Sequence, residues 1–355
     1  MARYALVDSE SGEAWGTCDE VTGLSGEDRR RTYELSGWLP AQDGATPGWL
    51  GDRVWLVPEG PGRPDPEDPW LLGDVLTLGV RSGALAVSAF DDYLSPPEDH
   101  DGPVRLNDGH RWLGTCRGVT RIVPAPRPSA PVVLSGLAPS ERLLAALAKG
   151  TRRSLYLDEA YLEIRDDHGD LLTHRLMWPT VTAWHPSSAG AGLIDLELDA
   201  GPFEPLPDHA RPLLERWLAG PPDAPGAWVD LNPRDRQAWL DLVREHGCCT
   251  DHHPRPPGQA YELDGRHITD AASLYLALGE AVNGPGGYFG ANTAAVDDCL
   301  CGSFGHTSPA TLLWRHSATA REHLSAELDS DGGQYDLFAV ILEIMARHRV
   351  TVTLA

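Results

Sequence analysis

The sequence predicts an α+β, multidomain chain: a β-rich N-terminal part and a small α/β domain at the C-terminus, built on a three-stranded parallel sheet. Three observations carry this expectation. At 355 residues the chain is longer than one hydrophobic core usually organises. Its front consists of short apolar or alternating runs between Gly, Pro and Asp clusters, the pattern of strands and turns. From Gln259 onward, strand and helix patterns alternate, which favours parallel strands with helices packed against them. The composition, 41% hydrophobic and 23% charged, is that of a globular rather than a disordered chain.

Residues 1–127 form the first predicted domain. YALV, RVWLV, VLTLGV, ALAVSAF and RIVPA read as its strands, with Gly60 to Pro69 and Ser95 to Pro103 as acidic loops. Ala125 to Pro131, APRPSAP, reads as a linker because its prolines prevent helix and favour extended chain. A second, mixed α/β region spans 132–247. Ser140 to Lys149 has helical spacing and Gly150 just beyond its end. Two strands then meet at His168-Gly169-Asp170, and Leu193 to Leu198 is a third. Helices follow at Asp208 to Leu218 and at Pro233 to His246. The second has Asn232 as its cap, Pro233 in its first turn and Gly247 closing it.

Cys248 to Gly258 reads as another linker, leaving 259–355 as the third domain, long enough to stand as a unit. AYEL is its first strand, turned at Asp264-Gly265. Thr269 is placed to cap a helix through Val282. PGGYFG is a tight loop, and Asn292 caps a second helix. TLLW is the middle strand, helices follow at Ala318 to Glu327 and Tyr335 to His348, and VTVTL is the last strand.

Charge narrows the function classes. Fifty-two acidic residues against 29 basic ones give a net charge of −23. That sign disfavours nucleic acid, whose affinity for proteins comes from Lys and Arg displacing counterions, and favours a basic partner. The acidity is general: the final 97 residues hold 12 acidic and 5 basic residues, the preceding 258 hold 40 and 24. No run of about 18 apolar residues is available to cross a membrane. The opening MARYALVDSESGEAW lacks an apolar export segment, and six scattered cysteines suggest a reduced compartment, so a cytoplasmic location is expected.

The segment Gly287-Tyr288-Phe289-Gly290-Ala291-Asn292, followed by Thr293-Ala294-Ala295-Val296-Asp297-Asp298-Cys299-Leu300, resembles the centre of the barstar family. The family's hallmark is an aromatic pair and a glycine, then a capping Asn and a helix of the form D-A-L-x-D-x-L. Tyr261 to Ile268 resembles its opening strand and turn, Leu312 to Arg315 its middle strand, and Val350 to Leu354 its last strand. The resemblance covers the final quarter of the chain. It implies a barstar-like α/β fold and an inhibitor of guanyl-preferring ribonucleases that covers their active sites.

Physically, Gly290 lets backbone approach a partner closely, and Asn292 fixes where the first helical turn points. Asp298, six residues on, can offer a carboxylate to the Arg, Lys and His of a ribonuclease site as a phosphate mimic. The resemblance therefore implies a partner surface at Tyr288, Phe289, Gly290, Asn292, Ala294, Asp297 and Asp298, with Glu343 on the last helix. It departs from the family at Ala291, normally acidic, at Ala294, where the family has an aspartate, and at Asp297, where it has tryptophan. Adjacent Asp297 and Asp298 point about 100° apart and cannot both address one pocket equally.

A competing cluster is His246, Cys248, Cys249, His252 and His253. Thiolates and imidazoles suit zinc, but this spacing matches no standard structural site, and a polar linker is the expected reading. No Ser-His-Asp order, phosphate loop or zinc-protease motif occurs. The expectation is thus an inhibitor with no cofactor and no chemistry of its own. The alternative is an adaptor or enzyme whose activity resides in residues 1–258 and whose C-terminal domain only docks proteins.

Overall fold

The computed structural model describes residues 2–24, 26–41, 48–59, 69–91, 97–123, 131–149, 155–199, 201–203 and 206–355. Most of the predicted Gly60 to Pro69 loop and Ala125 to Pro131 linker, the first two residues of the loop opening at Ser95, and Gly150 lie outside them.

The chain opens with β1 (Tyr4–Asp8), β2 (Ala14–Cys18) and β3 (Glu20–Thr22). Next come β4 (Arg31–Ser36), β5 (Leu39–Pro40), β6 (Trp49–Pro58), β7 (Trp70–Arg81), β8 (Ala84–Asp91), β9 (His100–Asn107) and β10 (Trp112–Ile122). These seven strands form one sheet in the order β4-β8-β7-β6-β9-β10-β5, and β10 pairs back to β4. The pairing closes a barrel, which removes most exposed edges. Tyr33, Leu35, Val54, Leu72, Val87 and Val104 fill it.

Then follow β11 (Val132–Pro139), α1 (Glu141–Lys149), β12 (Leu155–Tyr156), β13 (Ala160–Arg165), β14 (Leu171–Met177), β15 (Thr180–Pro186) and β16 (Ile194–Leu198). Strands β13 and β16 bury every second residue, as the alternation of AYLEIR and IDLEL requires. The predicted boundary at 127/132 does not separate these strands from the N-terminus. Strands β1 to β3 join β11 to β16 in a nine-stranded sheet, with Tyr4 opposite Ile164 and Val133 opposite Thr22. Leu6 and Leu162 are both fully buried in its core. A strand of five residues cannot bury its apolar face alone, so its partner is set by tertiary packing, which local pattern does not reveal.

Helices α2 (Arg211–Leu218) and α3 (Pro233–Cys249) lead into the C-terminal module. Asn232 caps α3 as expected, its side chain accepting the Asp235 N–H at 3.0 Å. The helix does not stop at Gly247, however, but continues through Cys249.

The module comprises β17 (Gln259–Asp264), α4 (Ala271–Asn283), α5 (Thr293–Asp298), β18 (Ala310–Arg315), α6 (Ser317–Leu324), a hairpin of β19 (Glu327–Leu328) and β20 (Gln334–Tyr335), α7 (Leu337–Arg347) and β21 (Val350–Leu354). Its sheet is parallel and three-stranded, in the order β17-β18-β21. The cap of α4 is Asp270 rather than Thr269: Asp270 accepts the Ser273 N–H at 2.7 Å, and the Ser273 hydroxyl closes a capping box.

Nor is 259–355 walled off from 132–247. One apolar core runs from Ile164 and Leu172 through Trp217, Trp239 and Val243 to Leu274, Phe289, Trp314 and Ile341. Its physical cause is α3, whose apolar residues face strand β14 on one side and α4 on the other.

Candidate functional site

The family-like segment lies between α4 and the turn that follows α5. Asn283, at the end of α4, donates from Nδ2 to the Tyr288 carbonyl at 2.6 Å and so holds the loop against the helix. At Gly290 the backbone has φ +96, and an added Cβ would lie 2.7 Å from the Val296 backbone nitrogen. Only glycine suits that left-handed conformation and that approach. Asn292 then caps α5, accepting the Ala295 N–H at 2.8 Å.

The eight expected site residues divide. Asn292, Ala294 and Asp298 are exposed on α5, and Ala294 and Asp298 are one turn apart on one face. The Asp298 carboxylate enters no hydrogen bond or ion pair among the described residues. Glu343 is exposed on α7, which packs beside α5.

The aromatic pair and its glycine, by contrast, are buried, and the expectation that they present themselves to a partner is not met. Tyr288 is 6% and Phe289 1% exposed. Tyr288 lies edge-on to Phe304, with ring centroids 5.3 Å apart, and against α3 at Gly247, where an added Cβ would come 2.3 Å from the tyrosine Cβ. Gly247 is therefore a close-approach residue inside α3, not a terminator. Burial pushes the Tyr288 hydroxyl up to about 12 and the neighbouring Cys299 thiol likewise to about 12. Phe289 meets His306 edge-on, 5.9 Å between centroids.

Asp297 is already engaged within the fold: its Oδ1 lies 2.8 Å from His348 Nε2 and 3.3 Å from the Arg347 guanidinium, so it ties α5 to the end of α7 while its side chain stays 36% exposed. The 100° between neighbouring helix positions turns Asp297 toward α7 and leaves Asp298 facing solvent.

The cluster proposed from sequence as a possible metal site is dispersed. His246 Nδ1 lies 3.0 Å from the Leu172 carbonyl, and burial lowers its pKa. Cys249 Sγ contacts His174 Nδ1 at 3.3 Å, and His252 Nε2 lies 2.8 Å from the Gly247 carbonyl. Cys248 and His253 are exposed. Because α3 runs through Cys249, consecutive side chains fan around the helix. Among the described residues no group of three or more His, Cys, Asp or Glu side chains could hold a metal ion.

The sequence reading missed three contributors: Gly247, which lets Tyr288 pack; His348, which restrains Asp297; and residues 250–256, which with the loop enclose a cavity of about 500 Å³. The signal for the first was available, a glycine inside an otherwise helical run.

Residues 259–343 match the model of the Barstar family, described as barstar (barnase inhibitor). No family model matches the remainder of the chain, and no curated protein matches it either. The C-terminal module is thus barstar-like in sequence and in its parallel sheet, and among the described residues no helix is long and apolar enough to cross a membrane.

Proposed function

We propose that this protein is a cytoplasmic, non-catalytic inhibitor that occludes a basic, guanyl-type ribonuclease through α5 and its flank on α7. The observation that carries the reading is Asp298: an exposed, unpaired carboxylate at the family's acidic register. A cationic nuclease cleft would supply the missing partner through charge-assisted hydrogen bonds. Asn292 and Ala294 border it, and Glu343 extends the acidic surface.

The experiment is inhibition of RNA cleavage by a guanyl-specific ribonuclease. Asp298→Ala should weaken the complex by about 2 kcal/mol or more, roughly thirtyfold, while Glu322→Ala, at an exposed position of α6, should change it little. Equal effects would remove α5 from the interface. Association should also slow as salt screens the attraction.

A second reading draws on the burial of Tyr288 and Phe289. With that loop unavailable, the module could dock a different basic protein and serve an adaptor. Absence of ribonuclease inhibition together with an Asp298-dependent complex in host extract would favour it.

A further inference from the structure

Away from α5, a cavity of about 200 Å³ opens where the barrel, α3 and residues 206–210 meet. The barrel contributes Asp52 and Asp74, α3 contributes Arg234, Asp241, Arg244 and Glu245, and Leu206 and Leu242 supply apolar wall. Nearly every charge there is satisfied. Asp74 accepts from Arg234 Nε and Nη2, both at 2.7 Å, from the Trp49 indole N–H at 3.0 Å, and from Arg30. Arg175 donates to Glu245 at 2.9 Å. Asp241 and Arg244 are also engaged.

Asp52 is different. Among the described residues its carboxyl has no hydrogen bond and no ion pair. Asp52 is half-buried, and burial, followed by the Asp74 charge, pushes its pKa up to about 6. Arg53 and Arg244 oppose that shift only through space. Arg244 is engaged elsewhere and the Arg53 guanidinium lies over the Trp55 ring at 5.3 Å, so this acid lines an open cavity with no counter-ion in contact with it.

We propose that this cavity binds a guanidinium or alkylammonium group, with Asp52 as its counter-ion. The apolar wall suits the methylene stem of such a cation, and junctions between domains are favoured places for ligands. The volume is below the ~300–1,000 Å³ of sites for drug-sized molecules, so it fits a head group and short stem. A bare metal ion is the poorer occupant, because the acids lining the cavity do not converge on one point. The cation can be free or belong to an arginine or lysine of a bound protein.

The test is calorimetric titration of the full chain with agmatine at low salt. Saturable binding in the millimolar range or tighter is expected, weakened about tenfold or more in Asp52→Asn and unchanged in Glu322→Gln. Saturation-transfer NMR of agmatine on the wild-type protein gives a second readout should Asp52→Asn fold poorly. No saturable binding, or equal binding to Asp52→Asn, would overturn the proposal. A competition arm separates the sources: agmatine that weakens ribonuclease capture assigns the cavity to a partner side chain, and agmatine that binds without affecting capture assigns it to a free small molecule. Only this last arm depends on the inhibitor reading.

Discussion

Two adjacent stretches of one motif, Tyr288 to Gly290 and Asn292 to Asp298, meet opposite fates in the molecule. The first is sealed between α3, Phe304 and His306, while the second lies on an exposed helix. Both match a family pattern, yet one holds the loop and the other faces outward. Likeness in register therefore identifies where an element lies, and burial decides whether it can meet a partner. Asp297 and Asp298 repeat the lesson within a single helical turn.

The comparison is broken most forcefully at Phe289. Phe289→Ala should cost about 3–5 kcal/mol of stability in urea denaturation, because a large side chain leaves a cavity that neighbours fill only partly. A near-neutral result would mean that the loop is not part of the core. Asp298→Ala should instead stay within about 0.5 kcal/mol of wild type, as exposed substitutions do, whatever it does to binding.

The smallest effect lies at the other end of the module. Glu327, 6% exposed, hydrogen-bonds His110 at 3.0 Å, and the Leu328 N–H donates to the Gly109 carbonyl at 2.7 Å, docking the β19–β20 hairpin on the barrel. The Glu327 hydrogen bond raises the His110 pKa above its usual 6.5, with Asp108 reinforcing and burial and Arg111 opposing. Protonated His110 is the form that the folded state favours. Its contribution is complete below about 6.5 and is lost as the pH rises through the raised value. Melting temperatures measured across that window should decline slightly in wild type and less in Glu327→Gln; identical slopes would show that the contact is idle.

Much of the module was legible from local signals. Asn292 announces a helix start, as Asn232 does just ahead of the module, AYEL, TLLW and VTVTL announce strands, and the placing of Asp298 on the outer face of α5 followed from register. What was not legible depends on contacts distant in sequence. Nothing near Leu6 says that its strand pairs with one around Leu162, and nothing near Tyr288 says that residue 247 will lie against it. The cap at Asp270 shows a nearer limit: where Thr and Asp adjoin, pattern alone does not say which begins the helix.

Helix α3 has one more consequence. Because Trp239 and Val243 share a core with Leu274 and Tyr275, the chain's covalent joint at 251–258 is not what keeps the tail in place. A protease that nicks this largely exposed stretch should yield two fragments that still co-elute on gel filtration and separate only in denaturant. An excised tail would carry a bare greasy flank and clump, so recombinant work on the C-terminal module is better begun upstream of Asn232.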